Sequence, residues 1–367
     1  MKTWQLLKQD PLLFPRYYVK EYMIKACRKY FEHKNYHELE SPIITPALPQ
    51  ERYLDVLETD IQLKNKTVKG YLVPTTETFN KKILAAGLGN HFVITKVVRG
   101  LEEISPNHSP EFTMMEWYEL GEDYKWLMND CEDLIIFILK FLDLSNTHSL
   151  SQLSKLSFEE IDNHKCNLNL KYKNKDIDFN KGWYRISIPD KIKEVLGVEL
   201  SEIYDYRNLL AFAKNRGYNV TEQDDWQLIF ELLFTSEIED TIPTDKPVFI
   251  YNFPKIMCPL TKENSENPLV CEKVELYIAG KEVANGYTEL LDGNEQEKRF
   301  LEEQKARKQL GLKDIAFDHD LVNALKSGLP EVAGIGMGLD RVAMIFANAS
   351  YISEINYFPA SEMFEED

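Results

Sequence analysis

The 367-residue chain carries 60 acidic against 43 basic side chains, a formal net charge of −17. That balance opposes non-specific binding to a phosphate backbone and makes nucleic acid a disfavoured partner, unless a local basic patch escapes the average. A composition 44% hydrophobic and 28% charged, with 16 glycines and 16 prolines, excludes long disordered tracts and suits one large body or two ordinary domains.

The opening stretch, Met1 to Asp10, has no unbroken apolar run of signal-peptide type, and no later run is long enough to cross a bilayer, so a cytoplasmic protein without membrane attachment is expected. Val19, Tyr22, Met23, Ala26, Cys27 and Tyr30 recur at the three-and-four spacing of an amphipathic helix over Tyr17 to Phe31. Tyr36 to Thr45 reads as a strand, with Pro42 suited to an edge or bend. Strands at Tyr71 to Pro74 and His91 to Val98 flank a helix from Glu77 to Ala86 that ends near Gly87.

Phe112 to Leu120 is a further strand, followed by a helix from about Lys125 to Phe141. The segment from about Leu150 to Trp183 is rich in Asn, Lys and Ser and reads as an insertion. Helices near Asp190 to Leu196 and Trp226 to Phe234 precede a β-rich stretch, Pro247 to Leu291, that includes a hairpin turning at Gly280. A charged helix spans Asn294 to Leu310, and Gly334 to Phe346 reads as strand, turn and helix. The five cysteines include no Cys-x-x-Cys and the seven histidines no His-x-x-x-His, so reduced, mostly buried thiols are expected in place of a zinc site.

Three segments carry the chemistry. In Arg99-Gly-Leu-Glu-Glu-Ile-Ser-Pro-Asn-His108-Ser-Pro-Glu-Phe112-Thr-Met-Met-Glu116-Trp-Tyr118, strand alternation sets Phe112, Met114, Glu116 and Tyr118 on one face, so that a ring, a carboxylate and a phenol line one pocket. In Glu275-Leu-Tyr-Ile-Ala-Gly-Lys-Glu282-Val-Ala-Asn285-Gly-Tyr-Thr-Glu289, a two-residue turn at Ala279-Gly280 sets Tyr277 opposite Glu282 and Glu275 opposite Ala284. Glu275 and Glu282 then share a face and can hold Mg²⁺ between phosphate oxygens; a solvated hairpin edge is the plainer alternative. Regular alternation turns Asn285 away, so a site role for it requires a bulge or twist near Gly286, and Glu289 inherits that condition. In Gly334-Ile-Gly336-Met-Gly338-Leu-Asp340-Arg341, a Gly-rich strand lets a ligand approach the backbone and Arg341 opens the following helix.

In this order the segments resemble motif 2, the segment before motif 3, and motif 3 of class II aminoacyl-tRNA synthetases, most closely the lysyl branch. Tyr22 to Ile44, with Pro42, resembles the dimer-forming motif 1, and Pro74-Thr-Thr-Glu77 resembles the loop whose Glu holds the substrate α-amino group. A helix N-cap made by Thr75 or Thr76, with Glu77 complementing the dipole, is an equal reading of that last segment. The resemblance implies an α+β class II catalytic fold, an antiparallel sheet flanked by helices, as a single domain over 1–367 with its insertion at about 150–183. It implies ATP and Mg²⁺ as cofactors and a homodimer.

By the same resemblance Arg99 and Arg341 are the catalytic cations, on the α- and γ-phosphates. Glu102, His108, Phe112, Glu275 and Gly338 complete the ATP site, with Phe112 on the adenine face, and Glu275 and Glu282 hold the metal. Glu77, Glu116, Tyr118, Asn285, Glu289 and Gly336 contact the amino acid, with Glu116, Tyr118 and Glu289 at its ammonium end. No oligonucleotide-binding barrel is expected ahead of motif 1. The chain thereby resembles the shorter ligases that attach a lysine-type residue to a lysine of elongation factor P. The segments Asp225 to Ser236, Lys246 to Pro254 and Asp320 to Pro330 also look more like that group.

Two departures qualify the resemblance. Arg99 and Glu102 are separated by two residues where the family usually has one, and the loop arginine expected near His108 is absent, which implies altered ATP or acceptor contacts. Gly336 stands where the elongation factor P ligases usually carry Ala, which implies an α-amino acid in preference to a β-amino acid. The expected reaction is adenylation of a lysine-like amino acid and transfer to a protein lysine. Transfer to tRNA or a small molecule, and a silent paralogue that binds amino acid or nucleotide and regulates, remain alternatives.

Overall fold

The computed structural model describes residues 2–54, 56–100, 105 and 108–364. Its centre is an eight-stranded sheet made of β1 (His37–Glu38), β2 (His91–Val98), β3 (Glu111–Leu120), β4 (Tyr184–Ser187), β5 (Val248–Tyr251), β6 (Lys273–Ile278), β7 (Lys281–Thr288) and β8 (Val332–Gly338), in the spatial order β1-β2-β3-β8-β7-β6-β5-β4. The six central strands are antiparallel, and a parallel strand is added at each edge.

One face of this sheet is the main core. Met115 and Trp117 of β3, Leu276 of β6 and Met337 of β8 are fully buried there. The helices Phe14–His33, Tyr124–Ser145 and Leu339–Phe346 cover that face. Asp123 caps the second of these by accepting from the Lys125 and Trp126 amides. The opposite face, with Glu116 and Tyr118 of β3 directed into a cleft, is left for the site, because alternation along β3 sends its polar residues there.

A second apolar cluster lies beyond β4 and β5, where Ile188, Ile192, Leu209, Ile229, Phe230 and Leu233 are buried among short helices. The helix Ile188–Leu196 ends on Gly197 at φ 74°, the left-handed stop that glycine supplies without a Cβ clash. The segment 150–183 folds as short helices and a two-stranded hairpin, and its Ile161, Ile177, Phe179 and Trp183 join the main core.

Two expectations need correction. Tyr36 to Thr45 is not one strand: His37–Glu38 pairs with β2, whereas Ile44–Thr45 pairs with the strand Lys66–Leu72 of a separate three-stranded sheet. Pro42 lies between them, lacking the N–H that a continuous ladder needs. The β6–β7 hairpin turns at Ala279 (φ 55°) and Gly280 (φ 78°), the pair of positive angles that a type I′ turn requires. Its register then shifts, with Tyr277 opposite Glu282, Leu276 opposite Ala284 and Glu275 opposite Asn285. Glu275 therefore faces Asn285 and not Ala284, and the bulge falls at Val283, three residues before Gly286.

Candidate active site

That bulge organises the site. The extra residue at Val283 flips the alternation of β7, so Asn285 turns onto the same face as Glu275, and the register lines up Glu116, Gly336, Asn285 and Glu275 across β3, β8, β7 and β6. Tyr118, Gly334, Tyr287 and Lys273 form the next row. A Cβ at position 334 would meet Tyr118 Cε1 at 2.3 Å and Glu289 Oε1 at 3.0 Å. Glycine there lets the Tyr118 ring lie flat over the strand.

Two contiguous compartments open above these rows. The larger, about 1250 Å³ including space open to solvent, is lined by Glu77, Glu116, Tyr118, Asn285, Glu289 and Gly336 among others. The smaller, about 890 Å³, is lined by His108, Phe112, Glu282, Gly338 and Arg341. Arg99, Met114, Asn285 and Gly336 border both, so Arg99 stands at the wall between the two compartments. Glu102 lies outside the described residues.

The floor of the larger compartment is a buried charge network. Glu116 Oε1 accepts from Thr75 Oγ1 at 2.7 Å and the Thr76 amide at 2.8 Å, and Oε2 accepts from Asn80 Nδ2 at 3.1 Å. Burial raises the Glu116 carboxyl above the ordinary range despite these donors. Thr76 is the residue before the helix Glu77–Ala85 but makes no side-chain capping bond; Thr75 Oγ1 accepts from the Glu77 amide at 3.3 Å. Glu77 and Glu289 both pair with Lys81, one turn along that helix, with Lys81 Nζ 2.7 Å from Glu289 Oε2. Burial, only partly offset by the Lys81 ammonium, pushes Glu289 up to about 8.

Glu275 is buried and lines neither compartment: its Oε1 lies 2.8 Å from Lys273 Nζ and accepts from Asn285 Nδ2 at 3.4 Å, and Oε2 accepts from Tyr277 Oη at 3.1 Å. Burial and then the Glu275 charge push Glu282 up to about 7. Arg341 donates from Nη1 to the Glu282 carbonyl. The Arg99 guanidinium lies 5.4 Å from the Phe112 ring centroid and His108 Nδ1 is 2.9 Å from Ser105 Oγ. Asp340, next to Arg341, pairs at 2.8 Å with Lys20 of the first long helix and accepts from the Thr113 amide at 2.6 Å.

A divalent cation fits the donors present. Among the described residues no three His, Cys, Asp or Glu side chains converge on a common metal position. Two carboxylates that repel each other, with ligand oxygens left to substrate phosphates and water, match the coordination habit of Mg²⁺. The Asn285 Oδ1 atom, buried and without a hydrogen-bond partner among the described residues, is a further acceptor between the compartments.

Three residues escaped the sequence reading. Lys81 stands four after Glu77 and was legible as a helical ion pair. Lys273 stands two before Glu275 on the same strand face. Glu51 lines the larger compartment from a loop, where no periodicity marks it.

Comparison with known proteins shows the family. Residues 14–362 match the family described as tRNA synthetases class II (D, K and N). The chain belongs to this family. It is 31% identical over 354 residues to the lysine–tRNA ligase of Pasteurella multocida, covering 93% of this chain and 63% of that one. It is 32% identical over 341 residues to the elongation factor P–(R)-beta-lysine ligase of Avibacterium paragallinarum, covering 92% of each. A ligase of the same name from Hamiltonella defensa is 32% identical over 340 residues, again covering 92% of each. The chain thus spans less than two thirds of the length of the lysine–tRNA ligases it matches. Among the described residues no helix is long and apolar enough to cross a membrane.

Proposed function

We propose that the protein is an ATP-dependent ligase that activates a lysine-like amino acid as its adenylate and transfers it to a lysine amine of a protein acceptor such as elongation factor P. The observation that carries this reading is the wall shared by the two compartments, where Arg99, Asn285 and Gly336 border an acidic pocket on one side and an arginine-bearing one on the other. A carboxylate whose ammonium end rests among Glu116, Tyr118 and Glu289 reaches that wall.

The chemistry needs no protein nucleophile. The amino acid carboxylate attacks the α-phosphorus of ATP, a C–O–P bond forms and pyrophosphate leaves. The acceptor amine then attacks the acyl carbon, an amide forms and AMP leaves. Both first-step reactants are anions, so the protein contributes cations and alignment. Arg99 supplies charge at the wall and Arg341 at the far end of the nucleotide compartment, while Phe112 offers a ring face to the base. Mg²⁺ held at Glu275 and Glu282 would supply Lewis-acid charge neutralisation for the phosphates.

The protein acceptor is favoured by the net charge of −17, which tRNA must overcome, and by the matches to elongation factor P ligases. A homodimer is part of the proposal: Ile43 and Ile44 are exposed beside Pro42, an apolar segment that a second copy would cover. Sedimentation of the purified protein tests this.

Pyrophosphate exchange into ATP, measured with α-lysine, β-lysine, ornithine and the standard amino acids, tests the activation step. Exchange with a lysine-like compound, lost in Arg341→Ala, is the expected result. Exchange with none of them, in a folded protein that binds ATP, would replace this reading with the silent paralogue.

A further inference from the structure

The wall of the larger compartment facing away from the sheet is the loop 49–54. Its main chain is held on several sides. Arg307 Nη1 donates to the carbonyls of Glu51 and Arg52 at 2.8 Å each and of Leu54 at 3.0 Å. The Arg52 guanidinium bridges Asp225 at 2.7 Å and Glu303 at 3.0 Å. The Arg52 amide donates to Glu303 Oε2 at 2.8 Å.

Within this fixed loop no described residue gives the Glu51 carboxylate a hydrogen bond or an ion pair, although it lines the compartment with Glu77 and Arg99. Of its charged neighbours Glu77 acts on it more strongly than Arg99, and crowding by protein atoms together with that like charge pushes it up to about 7. Lys81, which neutralises Glu77, is fully buried behind it and does not line the cleft. Glu51 therefore lines the same cleft as Glu77 with no cation hydrogen-bonded or ion-paired to it among the described residues. Proteins keep such an arrangement where a ligand provides the missing charge.

The place of this pair along the pocket says which charge. Glu116, Tyr118 and Glu289 are buried at the floor, whereas Glu51 is partly exposed and lines the compartment together with Glu77 and Arg99, the last of which also borders the smaller compartment. In a diamino acid lying between floor and wall, the side-chain ammonium is at the floor and the group at the wall is the amine beside the carboxylate. The resemblance already gives that amine to Glu77; we infer that Glu51 adds a second carboxylate to it and is a specificity-determining residue for amino acids carrying a second ammonium near the reacting carboxylate. This rests on the reading of the cleft as a site for a lysine-like amino acid.

An ammonium-deletion cycle on the full chain tests it. L-lysine and 6-aminohexanoate, which lacks the amine beside the carboxylate, are titrated calorimetrically into wild type and Glu51→Gln. A hydrogen-bonded charge contact supports about a tenfold loss of lysine affinity in Glu51→Gln, with 6-aminohexanoate unchanged within about twofold. Equal losses for both ligands, or no loss for either, would overturn the inference. Thermal unfolding separates a structural role: with the repulsion removed, Glu51→Gln should melt no lower than wild type, and a clear fall in Tm also counts against the proposal. If wild type binds neither compound, it is the lysine reading that fails, a result the cycle reports separately.

Discussion

Lys81 Nζ lies 2.7 Å from Glu289 Oε2, with the Lys81 side chain fully buried and that of Glu289 1% exposed. The same ammonium also pairs with Glu77, so two of the carboxylates expected to grip an amino acid share one internal cation. Removing the cation while leaving the acids buried strands uncompensated charge, which costs roughly 3–5 kcal/mol. Lys81→Met should lower stability to urea by that amount. Its sign with pH is fixed: without Lys81 the Glu289 carboxyl, already pushed up to about 8, rises further above its unfolded value, so stability falls as pH rises through the interval between the two. The deficit of Lys81→Met against wild type should be larger at pH 8 than at pH 5.5, and a deficit that shrinks with pH would contradict the network.

Two glycines of one strand should answer differently to the same methyl group. A Cβ at Gly336 would meet nothing nearer than Glu116 Cγ at 3.5 Å, whereas a Cβ at Gly334 would sit 2.3 Å from the Tyr118 ring. Gly336→Ala should fold with little change in Tm but alter the choice between α-lysine and β-lysine in pyrophosphate exchange, because the methyl enters the wall between the compartments. Gly334→Ala must displace Tyr118 or the strand and should lose roughly 1–3 kcal/mol. Equal melting temperatures for the two variants would show that the close approach of Tyr118 to β8 is not maintained in solution.

Glu282, pushed up to about 7 by burial and by Glu275, predicts how the metal responds to pH. A protonated carboxyl does not ligate Mg²⁺, so the Mg²⁺ concentration giving half-maximal exchange should fall as pH rises to about 7 and then level off. Glu282→Gln should need more Mg²⁺ than wild type above about pH 7, converge with it at lower pH, and lose this slope. A slope that survives in Glu282→Gln would assign the titration to another group.

Much of this site was legible because it sits on regular elements. Alternation alone placed Phe112, Met114, Glu116 and Tyr118 on one face of β3, and the turn at Ala279-Gly280 paired Tyr277 with Glu282. The bulge at Val283 was not legible in position, only in necessity, since a valine carries no signal for an extra unpaired residue. The break at Pro42 shows the opposite limit: the proline was visible, but the hairpin Glu58–Leu72 that captures Ile44–Thr45 is a long-range partner that no local pattern reveals. Glu51 was invisible for the same reason, since Arg307 and Glu303, far along the chain, fix its loop.

The Lys20–Asp340 pair links three segments, because Asp340 also takes the Thr113 amide. Burial alone would raise the Asp340 carboxyl, but the Lys20 ammonium holds it below the ordinary carboxylate range. A depressed folded pKa contributes stability that is present above the unfolded value, near 4, and is lost as pH falls through the folded value. Asp340→Asn keeps an acceptor for Thr113 but strands Lys20, so at pH 7 it should lose roughly 3–5 kcal/mol, and its gap to wild type should narrow as the acid limb is approached. Arg341 follows Asp340 at the opening of the helix Leu339–Phe346. The variant should therefore also lose exchange rate at saturating lysine through a misplaced guanidinium, whereas a variant with reduced stability but an unchanged rate would confine Asp340 to the fold.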